Sequence, residues 1–502
     1  MLGRTHQGSI GPARHPLQWR AAATEQLISA RHRRINPVRM PDSGHPSGSL
    51  PGRRRQIGGG LKRQPPSQGR IARRGLAAPQ PRVATTSASR ADVTRRNEIL
   101  RTAAALIATS GFRTSLQDIA DAAGILPGSL YHHFESKEAI LVELVRRYHA
   151  DLDRIAGRAL ARLDETNGQP VDDNIVALAA EIAQCAVEHR AALHMSFYEA
   201  PSSNPELVEL LHRPPLAIQR AMTQILRAAG RSGYIRPDLD LTILADRICQ
   251  TMLHVGLDVI RHRARPARVA TVSCRIILDG LASRMPTDTK LDRSPAKALA
   301  NELILTWADD SDQDVDDRAT HIRAVARKEF GRKGYEVTTV RDIASAAGLG
   351  VGTVYRLIGS KEALLASIMM SFSKRIGEGW EQILRCRGTP VEKLDALAWL
   401  DINALDQFSD EFRIQLAWMR QSPPDTSDIA FLFTTRVKQV KSVLSDGLLT
   451  GSIRINSPTK DILTRCVMDA LWMPENIQRA IGMPAALDLS RDTMLRGVTQ
   501  RR

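Results

Sequence analysis

The chain has 502 residues, a length that allows two to four domains, and its hydrophobic content of 43% is ordinary. Only 4% of the residues are aromatic while Ala and Leu are abundant, which favours helices. Neither a membrane span nor a secretory signal is expected, because the sequence has no apolar run of about 18 residues and no compact apolar stretch after a basic start.

Positive charge is concentrated at the N-terminus. Residues 1–90 hold 16 Arg, one Lys and only two acids, a net +15 of the chain's +16. The stretch is also rich in Pro, Gly and Ser and has no apolar period, so it is predicted to be a disordered extension. Two interpretations stay open: a basic arm that adds non-specific affinity for phosphates, or an extension without a role.

The cysteines are scattered and match neither a disulfide framework nor a zinc site. They are expected to be buried thiols in a reducing cytoplasm. The five residues are Cys185, Cys249, Cys274, Cys386 and Cys466.

Residues 91–149 are predicted to form a small helical domain, with order beginning near Val93. The first helix carries an apolar stripe at helical spacing, and Gly111 would end it. Ser115 can cap the second helix, since Asp118 follows in its first turn. The stripe consists of Ile99, Ala103, Leu106 and Ile107.

The same domain continues with a tight turn at Gly124. Pro127 or Gly128 then opens a short helix that runs through His133. A fourth helix, capped by Ser136, is predicted to run through Tyr148. Short helices joined by a glycine turn, with a longer helix after them, have the size of a helix-turn-helix unit that binds DNA.

Residues 150–285 are predicted to form a helical body. Residues 286–317 contain Pro, Ser and an acidic run, and are predicted to be a partly flexible linker that holds one short helix, Pro295–Trp307. The body helices are expected at Ile175–Ala186, Pro205–Leu211, Pro215–Ala229, Leu241–His262 and Ala267–Arg284, with a turn at GYIRPDLD from Gly233.

The domain and the body then recur. DIADAAGILPGSLYHHFESKEA from Asp118 and DIASAAGLGVGTVYRLIGSKEA from Asp342 are identical at 12 of 22 positions at a constant offset of 224. A fixed offset indicates two copies of one structural unit. The second copy is predicted to occupy residues 318–369, followed by a second body over 370–502. GSIRINSP from Gly451 weakly resembles the GYIRPDLD turn.

In a helix-turn-helix, outward side chains of the second helix meet base edges while flanking groups hold phosphates. Ser129 and His132 are candidates for bases, and Tyr131 and Lys137 for phosphates. Arg356 replaces His132 in the second copy and is suited to guanine, so the two copies are expected to read unlike half-sites. The remaining candidates are Ser115, Pro127, Gly128 and His133 in the first copy, and Thr339, Gly352, Thr353, Tyr355 and Lys361 in the second.

Both copies resemble the N-terminal domain of the TetR/AcrR family of bacterial transcriptional regulators. The first copy matches at Gly111-Phe112, Asp118-Ile119-Ala120, Ala123-Gly124, Gly128-Ser129-Leu130-Tyr131, Phe134 and Ser136-Lys137-Glu138. The second matches at Gly334-Tyr335, Asp342-Ile343-Ala344, Ala347-Gly348, Gly352-Thr353-Val354-Tyr355 and Ser360-Lys361-Glu362.

The resemblance implies an all-α fold in which each helix-turn-helix head is followed by a ligand-binding body. It also implies dimerisation through the last two body helices, and repression that a small molecule relieves. The family often has basic residues before its first helix. Arg95 and Arg96 fit this pattern in the first copy, whereas Asp316-Asp317-Arg318 in the second puts its affinity for DNA in doubt.

A ligand pocket in the first body could be lined by large apolar and polar side chains, although such residues are commonly core. GILPGSLYHHFESKE and GYIRPDLD together are similar to regulators of sterol and fatty-acid breakdown that sense acyl-CoA esters. An acyl-CoA or another lipid-like effector is therefore expected. The candidate pocket residues are Met195, Phe197, Tyr198, Met222, Met252 and His254.

Other chemistries lack a signature. The glycines from Gly348 to Gly352 follow no predicted strand, so they are interpreted as the turn of the repeat and not as a phosphate loop. His189 and His194 are poorly spaced for a metal. No catalytic motif is evident, so no enzyme activity, cofactor or metal is predicted.

These features predict a cytoplasmic transcriptional regulator that binds a double-stranded DNA operator and a small-molecule effector. The two bodies could pair within one chain as a pseudo-dimer, or two chains could form a homodimer with four heads. Two rival hypotheses stay open: a helical ligand-binding or adaptor protein in which one or both heads are inactive, and an enzyme on a helical scaffold.

Overall fold

The computed structural model describes residues 85–110, 114–165, 171–196, 204–255, 264–309, 318–420, 428–455 and 460–500. Most of the predicted basic extension lies outside these residues, as do Gly111, Phe112, Phe197 and Tyr198. The first described helix already includes Thr85, ahead of the predicted start near Val93. The first helix reaches back that far because neither Gly nor Pro interrupts residues 85–98.

The first half is built of helices. They are α1 (Thr85–Ser110), α2 (Leu116–Ala122), α3 (Pro127–His133), α4 (Lys137–Glu165), α5 (Val171–Glu188), α6 (Arg190–Met195), α7 (Pro205–His212), α8 (Leu216–Arg231), α9 (Leu241–His254) and α10 (Pro266–Asp279). Two further helices precede the repeat, α11 (Asp288–Asp292) and α12 (Pro295–Asp309).

The second half repeats this order. Its helices are α13 (Arg318–Lys333), α14 (Val340–Ala346), α15 (Val351–Ile358), α16 (Lys361–Arg385), α17 (Pro390–Gln407), α18 (Ser409–Arg420), α19 (Asp428–Leu449), α20 (Lys460–Leu471), α21 (Glu475–Ile481) and α22 (Met483–Ser490). A π-helical segment, Arg491–Arg496, follows α22. Among the described helices, none is both long enough and apolar enough to cross a membrane.

Each head joins its body through a continuous helix. The expected head boundaries after residues 149 and 369 fall inside α4 and α16. In the first half, α4 continues past Tyr148 to Glu165, where it packs against α5 and α8. The isolated Gly157 does not break it, since a single glycine inside a helix costs only about 1 kcal/mol. Each head is therefore joined to its body by an unbroken helix.

The expected linker is partly folded. Residues 288–309 contain α11 and α12, and α12 packs along α17 of the second body. A buried guanidinium anchors this region: Arg491 donates to Asp395 (Nε to Oδ1, 2.8 Å), to Asp288 (2.9 Å) and to Asp292 (2.5 Å). Arg491 is only 3% exposed and Asp395 is fully buried, so each charge depends on the other.

The two halves contact each other through their last body helices. In the first half, α10 packs against α20 and the π-helical segment of the second. The backbone crosses this junction in both directions. The amide of Arg236 donates to the Val498 carbonyl (3.0 Å), and that of Arg454 donates to the Leu281 carbonyl (2.9 Å). The two turns that resemble each other in sequence, at Gly233 and Gly451, thus each receive a short segment of the opposite half.

Two glycines make this crossing possible. Gly280 ends α10 with φ 69° and ψ 160°, and Gly497 ends the π-helical segment with φ 80° and ψ 154°. A Cβ on Gly280 would lie 2.4 Å from the Gly497 nitrogen, and a Cβ on Gly497 would lie 2.5 Å from the Asp279 carbonyl carbon. The backbones of the halves therefore meet at a distance that excludes any side chain.

The last body helix of the second half is interrupted. α20 ends at Leu471, ahead of Pro474, and its final carbonyls lie in the interior. Arg247 of α9 crosses from the first half and donates to the Ala470 carbonyl (Nη2, 2.7 Å) and the Trp472 carbonyl (Nη1, 2.6 Å). Arg247 is only 1% exposed, and it joins the halves by donating hydrogen bonds to carbonyls that the interrupted helix leaves without helical partners.

Candidate nucleic-acid interface and effector cavity

The first head presents α3 outward. Only Leu130 of this helix is buried, and it packs into the head core with Ile119. Gly128, Ser129, Tyr131 and His132 are exposed, with Tyr131 at 56%, while Pro127 and His133 are half-buried. Hydroxyl, phenol and imidazole groups therefore stand together on one accessible face, a set suited to hydrogen bonds with bases and phosphates.

The two arginines before the helix-turn-helix hold it together. Arg95 donates to the Ala123 carbonyl at the end of α2 (3.3 Å). Arg96 donates to the His133 carbonyl at the end of α3 (2.5 Å) and lies 4.1 Å above the Phe134 ring. Cations at helix C-termini oppose the negative end of the macrodipole. Both guanidiniums thus position the head, and their contact with phosphate stays a prediction.

Capping fixes the turns around α3. Ser115 caps α2 in a capping box, with its hydroxyl accepting from the Asp118 amide (3.1 Å), as its position in the sequence predicts. Hydrogen bonds from Ser115 lower the pKa of Asp118. Ser136 accepts from the Ala139 amide at the start of α4 (3.1 Å), where burial lowers the pKa of the half-buried Lys137. Lys137 and the first amides of α4 together form an anion-favouring end.

The second head has the same scaffold but a different surface. In α15 only Val354 is buried, and Tyr355, Arg356 and Leu357 are exposed. Gly352 is also exposed, and Thr353 is half-buried. Thr339 forms a capping box with Asp342 that matches that of Ser115. Arg356 therefore offers a guanidinium where the first head offers the His132 imidazole.

The lysine at the start of the long helix differs between the heads. Lys361 is 9% exposed, lies 4.2 Å from the Tyr335 ring centre and donates to the Glu336 carbonyl (3.4 Å). Its counterpart Lys137 is more exposed. A phosphate would have to compete with these internal contacts of Lys361, so the second head is expected to hold the backbone less strongly.

The methionines chosen from the sequence as pocket residues of the first body are buried. Met195, Met222 and Met252 have no exposed surface and belong to the hydrophobic core, and their contact with a ligand stays a prediction. His254 is 8% exposed and lines a cavity, but most of that cavity belongs to the second half. The sequence does not indicate the part of this cavity that lies in the second body, because the residues that line it there come from five separate helices.

This cavity has a volume of about 90 Å³. Thr251 and His254 of α9 form its wall on the side of the first half. The second half contributes Trp380, Asp401, Phe412, Gln415, Leu416, Arg436, Met468, Asp469 and Trp472. The effector cavity, as this set of residues is called below, is thus shared by the two halves.

Charged groups face the effector cavity from within the helices. Trp380 donates its indole N–H to Asp401 (2.9 Å), and Arg436 lies 5.6 Å from the Trp380 ring centre. Burial raises the pKa of Asp401 to about 6, although Arg436 and the Trp380 hydrogen bond act in the opposite direction. Burial also lowers the pKa of Arg436, against the attraction of Asp401. Each charge is therefore incompletely compensated by its surroundings.

Comparison with known proteins agrees with the two heads. Residues 99–144 and 322–368 both match the family described as bacterial regulatory proteins, tetR family. The HTH-type transcriptional repressor KstR2 of Rhodococcus jostii is 36% identical over 202 residues, which cover 38% of this chain and 92% of that protein. KstR2 of Mycobacterium tuberculosis is 37% identical over 155 residues, or 30% of this chain and 74% of the relative.

Among solved structures, the ketosteroid transcriptional regulator KstR2 of Mycobacterium tuberculosis is 27% identical, with a TM-score of 0.29 over 35% of this chain and 89% of that one. The family match at residues 99–144 and 322–368 identifies the two heads as units of one kind, and the Rhodococcus relative is covered over most of its length. The chain therefore belongs to the tetR family of bacterial regulatory proteins and is a DNA-binding transcriptional regulator, all-α in its described residues.

Proposed function

We propose that this chain is a repressor whose two unlike heads bind one asymmetric operator, and that a small molecule relieves the binding. The observation that carries the proposal is the reciprocal backbone pairing between the halves, Arg236 with Val498 and Arg454 with Leu281. Two heads on one paired body are the arrangement needed to engage two successive major-groove faces, about 34–36 Å apart. Relatives named as transcriptional repressors support the sign of regulation.

The pairing within one chain supports a single chain as the DNA-binding unit. Members of this family dimerise through their last body helices, and here α10 and α20 already contact each other. Covalent linkage makes this contact intramolecular and raises its effective concentration. A homodimer with four heads remains the alternative, and it would have to use another surface.

The outward residues support unlike half-sites. Arg356 can donate two hydrogen bonds to guanine O6 and N7, whereas His132 cannot do so. The buried Lys361 also suggests that the second head adds less affinity for phosphate than the first. An operator for this chain would therefore lack twofold symmetry in both sequence and contact strength.

Relief by an effector would act through the bodies. Because α4 and α16 each run from a head into a body, a ligand that favours another packing of the bodies would change the separation of the heads. The effector cavity, which both halves line, is the site best placed for this role.

A footprint of the intact chain on genomic DNA tests the proposal, followed by binding to the recovered sequence. Arg356→His is expected to relax base preference at one half-site only, and His132→Arg at the other only. Light scattering should give a mass of 55.4 kDa for the free protein, and the complex should contain one such chain per operator. A species of twice that mass would support the homodimer instead.

The same titrations separate the rival hypotheses. Specific binding by a protein that neutralises several phosphates should weaken steeply as salt is raised. Weak association that does not change with salt would favour the adaptor hypothesis, in which the heads are inactive. Loss of one half-site from the footprint would restrict DNA binding to a single head.

A further inference from the structure

The effector cavity contains polar groups that the protein itself leaves incompletely satisfied. The buried indole nitrogen of Trp472 has no hydrogen-bond acceptor among the described residues. Arg436 forms no ion pair within 4.0 Å and no hydrogen bond with another described residue, and it lies 5.6 Å from the centre of the Trp380 ring. Because buried donors in proteins are nearly always hydrogen-bonded, a bound molecule with an acceptor is expected beside them.

Asp401, by contrast, can accept further hydrogen bonds and therefore favours a ligand with a donor. From the residues that the structure describes, its carboxylate receives one hydrogen bond, donated by Trp380, although a carboxylate can accept about four. Asp401 and Arg436 do not approach each other closely enough to form an ion pair. A molecule placed between them could accept from Arg436 or Trp472 and donate to Asp401 with neighbouring atoms.

The charges of the wall argue against an ionic ligand. Asp401 attracts Arg436, and Asp469 attracts Arg247, so the positive and negative groups are equal in number. An added anion or cation would therefore leave one charge uncompensated in a largely buried site. Apart from Thr251, His254 and Gln415, the other residues of the wall are apolar or aromatic. They include the rings of Trp380, Phe412 and Trp472. Such walls favour a flat, uncharged molecule.

The volume limits the size of the ligand. A water-sized atom needs about 10–15 Å³ of such space, so about 90 Å³ holds roughly six to nine non-hydrogen atoms. A single aromatic ring with a small polar substituent fills this space. A complete acyl-CoA ester is far larger than this space, so the molecule that would fill it differs from the lipid-like effector that the sequence resemblance implies.

We propose that the effector cavity binds a small uncharged aromatic molecule that carries an acceptor beside an N–H or O–H donor, as in a primary amide or a lactam. The first half takes part in this site. Thr251 and His254 belong to α9, and the His254 ring lies 4.2 Å from the Trp472 ring. Trp472 is in turn held by Arg247 from the same helix.

A ligand against Trp472 therefore contacts both halves at once. Its binding should change the packing of α9 on the end of α20, the place where Arg247 joins the halves. That this ligand weakens operator binding rests on the function proposed above. That the cavity binds the ligand does not depend on that function.

The test measures binding of four probes to the full chain by calorimetry and by quenching of tryptophan emission. Benzamide carries an acceptor and a donor, benzoate is its anionic counterpart, benzylamine its cationic counterpart, and toluene lacks both groups. Benzamide should bind at least tenfold more tightly than each of the other three. Equal affinities, tighter binding of an ion, or no binding of benzamide would overturn the proposal.

Variants place the probe in the effector cavity. Arg436→Leu and Asp401→Leu should each weaken benzamide binding by at least tenfold. Asp406→Asn is a matched control, since Asp406 is exposed on the same helix as Asp401, and it should stay within twofold of the wild type. His254→Ala, on the first half, should also weaken binding, and an unchanged affinity would remove α9 from the site.

Operator binding in the presence of benzamide separates this inference from the proposed function. If benzamide binds and the protein has no affinity for DNA, the site stands and the regulatory function fails. If DNA binding is intact but benzamide does not bind, the regulator stands and the assignment of the cavity fails.

Discussion

Replacing Gly497 by alanine tests whether the halves pair as the structure describes. Gly497 adopts φ 80° and ψ 154°, a conformation nearly restricted to glycine. A Cβ there would lie 2.5 Å from the Asp279 carbonyl carbon and 2.6 Å from the carbonyl oxygens of Asp279 and Leu278. These are backbone atoms of the opposite half, so no side chain can rotate to relieve the contact.

Gly482 provides a matched control for the backbone conformation. Its φ of 80° and ψ of 161° are close to those of Gly497, but an added Cβ would meet only the Pro484 Cδ at 4.0 Å. Gly482→Ala should therefore cost only the strain of the conformation, about 1–3 kcal/mol. Gly497→Ala should add a penalty for overpacking of about 1–3 kcal/mol or more, giving roughly 2–6 kcal/mol in total.

Urea unfolding followed by tryptophan emission measures the difference, and operator affinity measures its consequence. The Gly497 variant should unfold at lower urea than the Gly482 variant and lose cooperative binding of two half-sites. If both variants had the same unfolding midpoint and both bound the whole operator, the close backbone contact between the halves would be refuted.

Three further substitutions test separate interactions. Asp401→Asn removes a carboxyl whose pKa in the folded protein, about 6, lies above its ordinary 3.8, so the stability of the wild type falls as pH rises through this interval. The variant should therefore be more stable than the wild type by about 2–3 kcal/mol at pH 8 and equally stable near pH 4. An equal gain at both pH values would contradict the burial of the charge. Ser115→Ala should cost the first head about 1 kcal/mol in thermal unfolding through loss of its capping box, with no effect expected on the second head's half-site. Arg247→Met leaves the carbonyls of Ala470 and Trp472 without their donor and should lower the free energy of unfolding by about 2–5 kcal/mol, while the exposed Arg268→Met should have little effect.

The local structure of the heads could be predicted closely from sequence. Ser115 caps α2, Gly124 has the positive φ of a turn (65°), and α3 begins at Pro127 and ends at His133. These features depend on interactions within a few residues, which the sequence carries directly. The roles of Arg95 and Arg96 were less predictable, because their carbonyl partners come from the other end of the head.

Contacts between distant segments could not be predicted from periodicity. A helix over Ala267–Arg284 was predicted, whereas α10 ends at Asp279 because Gly280 takes the conformation that the opposite half requires. The folded part of the linker depends on Arg491, which brings together Asp288, Asp292 and Asp395. The sequence shows these acids only as scattered charges.

The candidate sites differ in the same way. Outward residues of α3 and α15 follow from the helix-turn-helix pattern, and Ser129, Tyr131, His132, Tyr355 and Arg356 need only their place in that pattern. The effector cavity has no comparable signature. Its wall joins residues of the first half to others more than a hundred positions away, and the buried Met195, Met222 and Met252 are not among the described residues that line it.

The backbone hydrogen bond between Arg236 and Val498 has a consequence for synthesis on the ribosome. The turn after α8 has its backbone partners in residues that are translated long after it. At about 5–20 residues per second, the delay is roughly 10–50 seconds. We expect the first half to expose, during that time, the backbone groups of this turn and the face of α10 that packs against α20, a surface for chaperones that the finished protein covers.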